Sequence, residues 1–465
     1  MKILLTVHQF VPDYFSGTEV LTLTTAKALR ARGHEVVVLT GFPDRSGKRD
    51  DQRFDQYEHE GLKVYRFHHA YVPMGGQNVI TELDFNNVLA ARYFARIVAD
   101  FKPDVAHFFH FGRLGTAMID VAVRAGIPAY YTPTDFWSLC PPAQLLRGGK
   151  PCPGPSRYGG NCVKHVAELS LWPYMKLFNA AVPDVVADFG VWLTAKGWLL
   201  PYPLHKEVLA TGGRKAFNMR RLNWLHGVVA PTQLMTGALT SNGLNPQLIH
   251  QSAYGIDIPR EGTAIAARDP KTPLTVGYIG TLAPHKGCHV LVEAFRHIDD
   301  GRAKLKIYGN LVDFPDYLAK MKAIAAGSPN IEFLGTFPSE KIADVLAGVD
   351  LLVVPSVWYE NMPLVIFSAL AAKRPVVVSD YPGMTEVITH EVNGLVFPPG
   401  DSESLSKHLV RLRDEPALLP SLSQNCRRPK SSAEYADELL ALYAKGPLVP
   451  LAARDTTGLQ DLKPL

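Results

Sequence analysis

The chain opens on a short apolar run, Ile3 to Val7, which gives way at once to the polar pair His8 and Gln9. Similar runs return at Glu35 to Thr40, Val105 to Phe109 and Ile127 to Tyr131, and Glu19 to Arg32 between the first two has helical spacing. Strands that are apolar throughout, separated by amphipathic helices, predict a parallel sheet covered on both faces. Ligands of such sheets sit beyond the carboxyl ends of the strands.

The pattern starts again at Leu274. Leu274 to Ile279, Lys304 to Tyr308, Ile331 to Leu334, Leu351 to Val354 and Pro375 to Ser379 read as strands, with helices from about Gly287, Ser339, Pro363 and Asp401. The fold class is therefore α/β, with two doubly wound Rossmann-like domains. Pro259, Pro270 and Pro273 punctuate the polar stretch Arg260 to Thr272, the natural linker. The expected domains are 1–262 and 263–428, followed by a helical segment 429–446 and a mobile tail 447–465. Within the first domain, about 163–223 reads as a helical insertion rich in Trp and Leu, with Trp172, Trp192, Trp198 and the basic pair Arg220 and Arg221. Such a stretch suits peripheral contact with a membrane or an acceptor, although aromatic stripes more often pack as core.

Length fits two domains: 465 residues exceed one ordinary core. A formal charge of +4 on such a chain points to no nucleic-acid partner. The first apolar run is too short for a secretory signal, and no run approaches the roughly 18 apolar residues of a membrane span. The expected compartment is the cytoplasm, including the inner face of its membrane. Five cysteines argue against a disulfide framework.

Chemistry concentrates in PSVWYENMPLVIFSALAAKRPVVVSDYPGMTE. Glu360 falls in the loop after one strand, Pro363 in the first turn of a helix, and Gly383 to Glu386 after the next strand. Free amides at that helix start suit a phosphate, because the unpaired N–H groups and the helix dipole both favour negative charge. Upstream, Gly280 and Thr281 end a strand and Lys286 precedes a helix, where a cation runs against the dipole unless an anion sits there too. In the first domain, Ser16 and Gly17 form a turn that lets backbone approach a ligand. His110, Thr134 and Asp135 lie at the same predicted sheet edge.

These residues, in this order, resemble the retaining GT-B glycosyltransferases of family 4, also called glycosyl transferases group 1. The resemblance covers almost the whole chain, including RGHEVVVLT, KPDVAHFFH, GIPAYYTPTDFW, IGTLAPHKG and NGLVFPPGD. It implies two Rossmann-like domains facing across a cleft and a final helix, near Ala433, that crosses back to the first. It implies transfer of a hexose, without a catalytic cofactor, from a nucleoside diphosphate sugar, UDP ahead of GDP, to a glycan or lipid-linked acceptor in polysaccharide biosynthesis. Lys286 would hold the diphosphate; Glu360, Asn361, Met362, Pro363 and Leu364 the donor sugar and phosphates; Gly17, Gly280, Thr281 and Ser368 would complete the donor site. Glu360, Lys286, Asp135 and His110 are the expected catalytic set.

Three positions depart from the family. Thr281 stands where an arginine is usual, Ser368 where a glutamate holds the ribose, and Thr134 where a histidine precedes the aspartate. Loss of the ribose contact is worth about 1.5 to 3 kcal/mol, the range for hydrogen bonds to charged groups. A non-catalytic nucleotide- or sugar-binding protein and a nucleotide-sugar epimerase are the competing functions. Finally, Cys140, Cys152, Cys162 and His165 make up a tetrahedral zinc set by residue type, so a structural zinc stands as an expectation beside that of unliganded thiols.

Overall fold

The computed structural model describes residues 1–169, 177, 179–199, 201–257, 261–266, 269, 272–298, 300–449 and 456–465. Trp172, parts of the expected linker and residues 450–455 lie outside them. Two compact units emerge, one made of 1–147, 152–253 and 432–465, the other of 148–151 and 254–431.

The first unit is built on β1 (Lys2–Val7), β2 (Glu35–Pro43), β3 (Phe54–His59), β4 (Leu62–His69), β5 (Val105–Phe108), β6 (Ala129–Tyr131), β7 (Gly227–Ala230) and β8 (Ile249–Gln251). Their order in the sheet is β8-β7-β6-β5-β1-β2-β4-β3. All neighbours are parallel except β3 and β4, an edge hairpin that the apolar pattern passes over because β3 is only half-buried. Helices α1 (Gly17–Ala31), α2 (Ala117–Arg124), α3 (Gly160–Leu169), α4 (Asp184–Ala195) and α5 (His205–Leu222) belong to this unit.

The second unit carries β9 (Leu274–Ile279), β10 (Ala303–Tyr308), β11 (Ile331–Gly335), β12 (Leu351–Val354), β13 (Val376–Ser379) and β14 (Gly394–Phe397), ordered β11-β10-β9-β12-β13-β14 and parallel throughout. Side chains alternate across a strand. Leu351 and Val353 therefore enter one core with Leu291 and Phe295, while Leu352 and Val354 enter another with Ile366 and Leu370. This two-sided burial is why the strands read as unbroken apolar runs. Helices α6 (Cys288–Arg296), α7 (Leu364–Ala371) and the short α8 (Pro382–Thr385) follow β9, β12 and β13.

The last helix, α9 (Ser432–Lys445), belongs to the first unit and is held by a buried polar network. The Tyr443 hydroxyl meets His107 Nδ1 at 2.8 Å, His107 Nε2 meets Thr132 Oγ1 at 2.8 Å, and Thr132 Oγ1 meets the Tyr435 hydroxyl at 3.0 Å. Burial pushes His107 down to about 3, so the ring is neutral there. Arg32 reaches Asp437 at 2.7 Å on the surface of the same helix.

One expectation changes at the periphery. Arg221 is not part of an outer basic pair: it is buried and donates to Asp120 at 2.6 and 3.2 Å. In the tail, the Gln460 amide donates to Asp120 at 2.8 Å while Arg124 donates to its carbonyl at 2.8 Å.

Candidate functional site

In the second unit the strand order reverses at β9, which pairs with β10 on one side and β12 on the other. The loops leaving β9 and β12 at their carboxyl ends therefore rise from neighbouring strands with no helix between them, the usual place for a ligand in such a sheet. The first runs from Gly280 to Gly287. Gly280 donates its amide to the Tyr308 carbonyl at 3.0 Å, and exposed Thr281 accepts from the Tyr278 hydroxyl on its own carbonyl at 2.9 Å. Pro284–Lys286 form one tight turn, which Gly287 ends at φ 70°. A side chain there would be strained, and its Cβ would lie 1.8 Å from the Pro355 carbonyl oxygen.

The second loop brings Glu360 onto the first. Glu360 is buried and accepts from Lys286 Nζ at 2.8 and 3.0 Å, from Ser356 Oγ at 2.6 Å and from Trp358 Nε1 at 2.9 Å. Burial alone would raise its pKa, but the Lys286 charge and these donors outweigh that and hold it below the usual range. Lys286 Nζ also lies 5.0 Å from the centre of the Trp358 ring, which packs edge-on against His285 at 4.9 Å. Gly383, the second residue of α8, completes the frame: a Cβ there would fall 1.6 Å from the Glu360 carbonyl oxygen.

Pro363 is the N-cap of α7 and extended, one step outside the first turn expected for it, so Leu364 opens the helix. Met362 is buried, and Asn361 Nδ2 donates to the Tyr254 hydroxyl at 2.9 Å. Ser368 sits one turn into α7 and donates its hydroxyl to the Leu364 carbonyl at 3.2 Å, a bond within its own helix. Lys286, Glu360 and the start of α7 thus gather at one sheet edge. The Lys286–Glu360 bond itself is new, since both were expected to face the donor rather than each other.

The first unit reverses its order at β1, between β2 and β5. Here imidazoles gather. His110, after β5, accepts the Gly112 amide on Nδ1 at 2.8 Å, which leaves the proton on Nε2 to be donated to Asp135 Oδ2 at 2.9 Å. Asp135 Oδ1 takes the Trp137 amide at 2.8 Å, while Thr134 donates to the Phe109 carbonyl at 3.4 Å. The His8 ring, after β1, lies 4.0 Å from that of His110, centroid to centroid. Gly17 is exposed at the start of α1, capped by Ser16.

Two residues here escaped the sequence reading. Glu19 is fully buried and closes the capping box with Ser16, yet its Oε1 has no hydrogen-bond partner. His8 Nε2 stands 3.6 Å from that oxygen, beyond hydrogen-bond length, and His8 Nδ1 is also unpartnered. Burial first, then the His110 and Arg113 charges, hold His8 well below its usual pKa. The signal for Glu19 was present in the S-x-x-E spacing of Ser16 and Glu19.

The expected zinc set is corrected. Among the described residues no group of three or more His, Cys, Asp and Glu side chains could hold a metal ion, and Cys140, Cys152, Cys162 and His165 are not drawn into one. All five cysteines are free. Burial raises the thiol pKa of Cys140, and burial followed by the nearby Cys140 and Cys152 takes that of Cys162 to about 12. After burial, the charges that act on His165 are those of Glu168 and Arg147.

Two Rossmann-like units, each with ligand-edge loops, are the GT-B fold, shared with solved structures that superpose on this chain. Residues 16–161 match the glycosyl transferase 4-like domain and 273–415 match the glycosyl transferases group 1 domain. The chain belongs to the group 1, family 4 type of glycosyltransferase. It is 23% identical over 95% of its length to a GDP-mannose-dependent alpha-mannosyltransferase of Mycobacterium tuberculosis, covering 96% of that protein. It is 35% identical to the uncharacterized glycosyltransferase MJ1607 of Methanocaldococcus jannaschii, over 32% of this chain and only 38% of that one. The crystal structure of Anabaena HepE in complex with UDP-glucose superposes with TM-score 0.60 at 17% identity, over 95% of this chain and 99% of HepE.

Proposed function

We propose that this glycosyltransferase moves a hexosyl group, with retention of configuration, from a nucleoside diphosphate sugar to a hydroxyl of a glycan or lipid-linked acceptor. The donor-binding residues are Gly17, Gly280, Thr281, Lys286, Glu360, Asn361, Met362, Pro363, Leu364 and Ser368. The observation that carries the reading is the Lys286–Glu360 pair beside the start of α7, at the reversal of the second sheet. A diphosphate there meets the Lys286 ammonium and the first amides of α7, both of which stabilise charge as it develops on the leaving group. Glu360, already neutral in sum with Lys286, positions that ammonium rather than attacking the sugar. As the bond from sugar to diphosphate breaks, the acceptor oxygen bonds the same face, and its proton passes to the departing phosphate. His110 and Asp135 would orient the sugar or acceptor through the His110 ring.

UDP is placed ahead of GDP as the nucleotide; the mannosyltransferase relative, named for GDP-mannose, keeps GDP as the second arm of the test. A non-catalytic nucleotide-binding protein is the competing reading, favoured by Ser368, whose hydroxyl is bonded to its own helix. A panel of UDP-, GDP- and ADP-sugars, read by mass spectrometry, separates the two. Donor hydrolysis or transfer with a UDP-sugar is expected. Binding without turnover of any donor would overturn the enzymatic reading.

A further inference from the structure

Helix α4 is anchored on one face and bare on the other. Asp188 points inward and accepts from Ser156 Oγ at 2.6 Å, the Tyr158 amide at 3.0 Å and the Gly160 amide at 2.9 Å. A Cβ on Gly160, in α3, would meet the Asp188 nitrogen at 2.2 Å, so the two helices touch backbone to backbone. Lys164 and Arg147 grip Asp184 at 2.7 and 2.9 Å, and Val191 is buried. The opposite face exposes Val185 by 75%, Val186 by 54% and Phe189 by 55%.

The apolar surface continues past the helix end. Phe189 stacks on Trp192 at 5.5 Å, Trp192 meets Trp198 edge-on at 5.2 Å, and Trp198 and Leu204 are 69% and 71% exposed. Single exposed apolar residues need no explanation, but a contiguous aromatic and aliphatic face does. Its charge is one-sided. From Phe189 to Lys206 the sequence holds no carboxylate, while Lys196 and Lys206 are both exposed. Among the described residues no helix is long and apolar enough to cross a bilayer, so the face can lie on one but α4 does not span it.

We propose that the outer face of α4, with the Trp198 turn and Leu204, docks on an anionic lipid bilayer. Trp suits the boundary between headgroups and acyl chains, since one end of its ring system is apolar and the other carries an N–H. Val185, Val186 and Phe189 enter the acyl boundary, and Lys196 and Lys206 reach the headgroups. The lysines and the missing carboxylates favour lipid over a second copy of this chain, whose matching face would set lysines against lysines. The proposal rests on the lipid-linked acceptor reading for its purpose: it would hold the first unit where such an acceptor is found.

The test is flotation of the full chain with vesicles of phosphatidylglycerol and phosphatidylcholine in equal parts, against phosphatidylcholine alone. Wild type is expected to float with the mixed vesicles, and the double variant Phe189→Ser, Trp198→Ser to lose at least about tenfold in partition. The pair Lys196→Glu, Lys206→Glu is expected to abolish the preference for the anionic mixture. Both substituted pairs are at the surface, and unchanged far-ultraviolet circular dichroism confirms folding. Wild type that stays in solution, or a Phe189, Trp198 variant that floats equally, would overturn the proposal. So would a dimer of wild type, without vesicle binding, that the same variant dissolves. Donor turnover in vesicle-free buffer is measured separately, so failure of the docking face and failure of the transferase reading give different results.

Discussion

The two sheets reverse their strand order in the same way, yet their carboxyl edges hold opposite kinds of chemistry. The edge of the second unit is ionic: Lys286 and Glu360, 2.8 Å apart, share a buried carboxylate with Ser356 and Trp358. That of the first is built of imidazoles, His8 against His110 with Asp135 behind. An ammonium with helix amides suits a charged diphosphate, whereas imidazole nitrogens, which donate or accept, suit hydroxyl groups. The same topology therefore lends itself to two recognition tasks, and the difference lies in a handful of loop residues.

The strongest way to break this contrast is to remove the cation. Lys286→Ala leaves Glu360 buried with its charge uncompensated, which is expected to cost about 3 to 5 kcal/mol of stability. Adding Glu360→Gln should recover most of that loss in urea unfolding without restoring donor turnover. Unchanged stability in Lys286→Ala would remove the pair from its structural role. A smaller effect is expected from Gly383→Ala, where the new methyl must displace the Glu360 loop, at about 1 to 3 kcal/mol and with weakened donor binding. Gly213→Ala in α5 is the control. Nothing lies within 4 Å of a Cβ there, so it should be neutral or slightly stabilising. Equal effects at the two glycines would mean that the close approach at Gly383 is not a constraint.

The gentlest probe is acid. His107 is depressed from 6.5 to about 3, so its contribution is fully present above pH 6.5 and is lost as the pH falls toward 3. The unfolded chain binds the extra proton in that window, which should weaken the first unit by up to about 1.4 kcal/mol per pH unit. His69, lowered to about 4, adds in the same sense. Glu360 is depressed below its ordinary 4.5, so the loss of its contribution begins only under more acid conditions. Hydrogen exchange between pH 6.5 and 5 should therefore accelerate over β1 and β5 before β9 and β12. Acceleration in the reverse order would contradict the burial of His107 and His69 as neutral rings in the first unit.

Much of this was legible in the chain. Buried parallel strands announce themselves because both faces are apolar, and β9, β12 and β13 all lie within a residue of the predicted runs. The edge hairpin β3–β4 was invisible for the converse reason. Lys286 and Glu360 were each found from the helix start or loop beside them, but a bond between residues 74 apart in sequence has no local signature. His8 and Glu19 were missed because a lone histidine and a helix-cap glutamate have common structural roles. The cysteine cluster misled in the opposite direction: residue types that suit zinc say nothing about whether loop and helix aim them at one point.

The place of α9 has a consequence for synthesis. Apart from the short piece 148–151, the second unit is one stretch, 254–431, inserted between two parts of the first, to which the chain returns at 432. On the ribosome, β1 to β8 emerge long before the helix that supplies Tyr435 and Tyr443. Until then His107 Nδ1 lacks the hydroxyl that satisfies it in the finished protein. A nascent chain arrested before Ser432 would hold a finished second unit and an incomplete first one, an order opposite to the usual vectorial expectation.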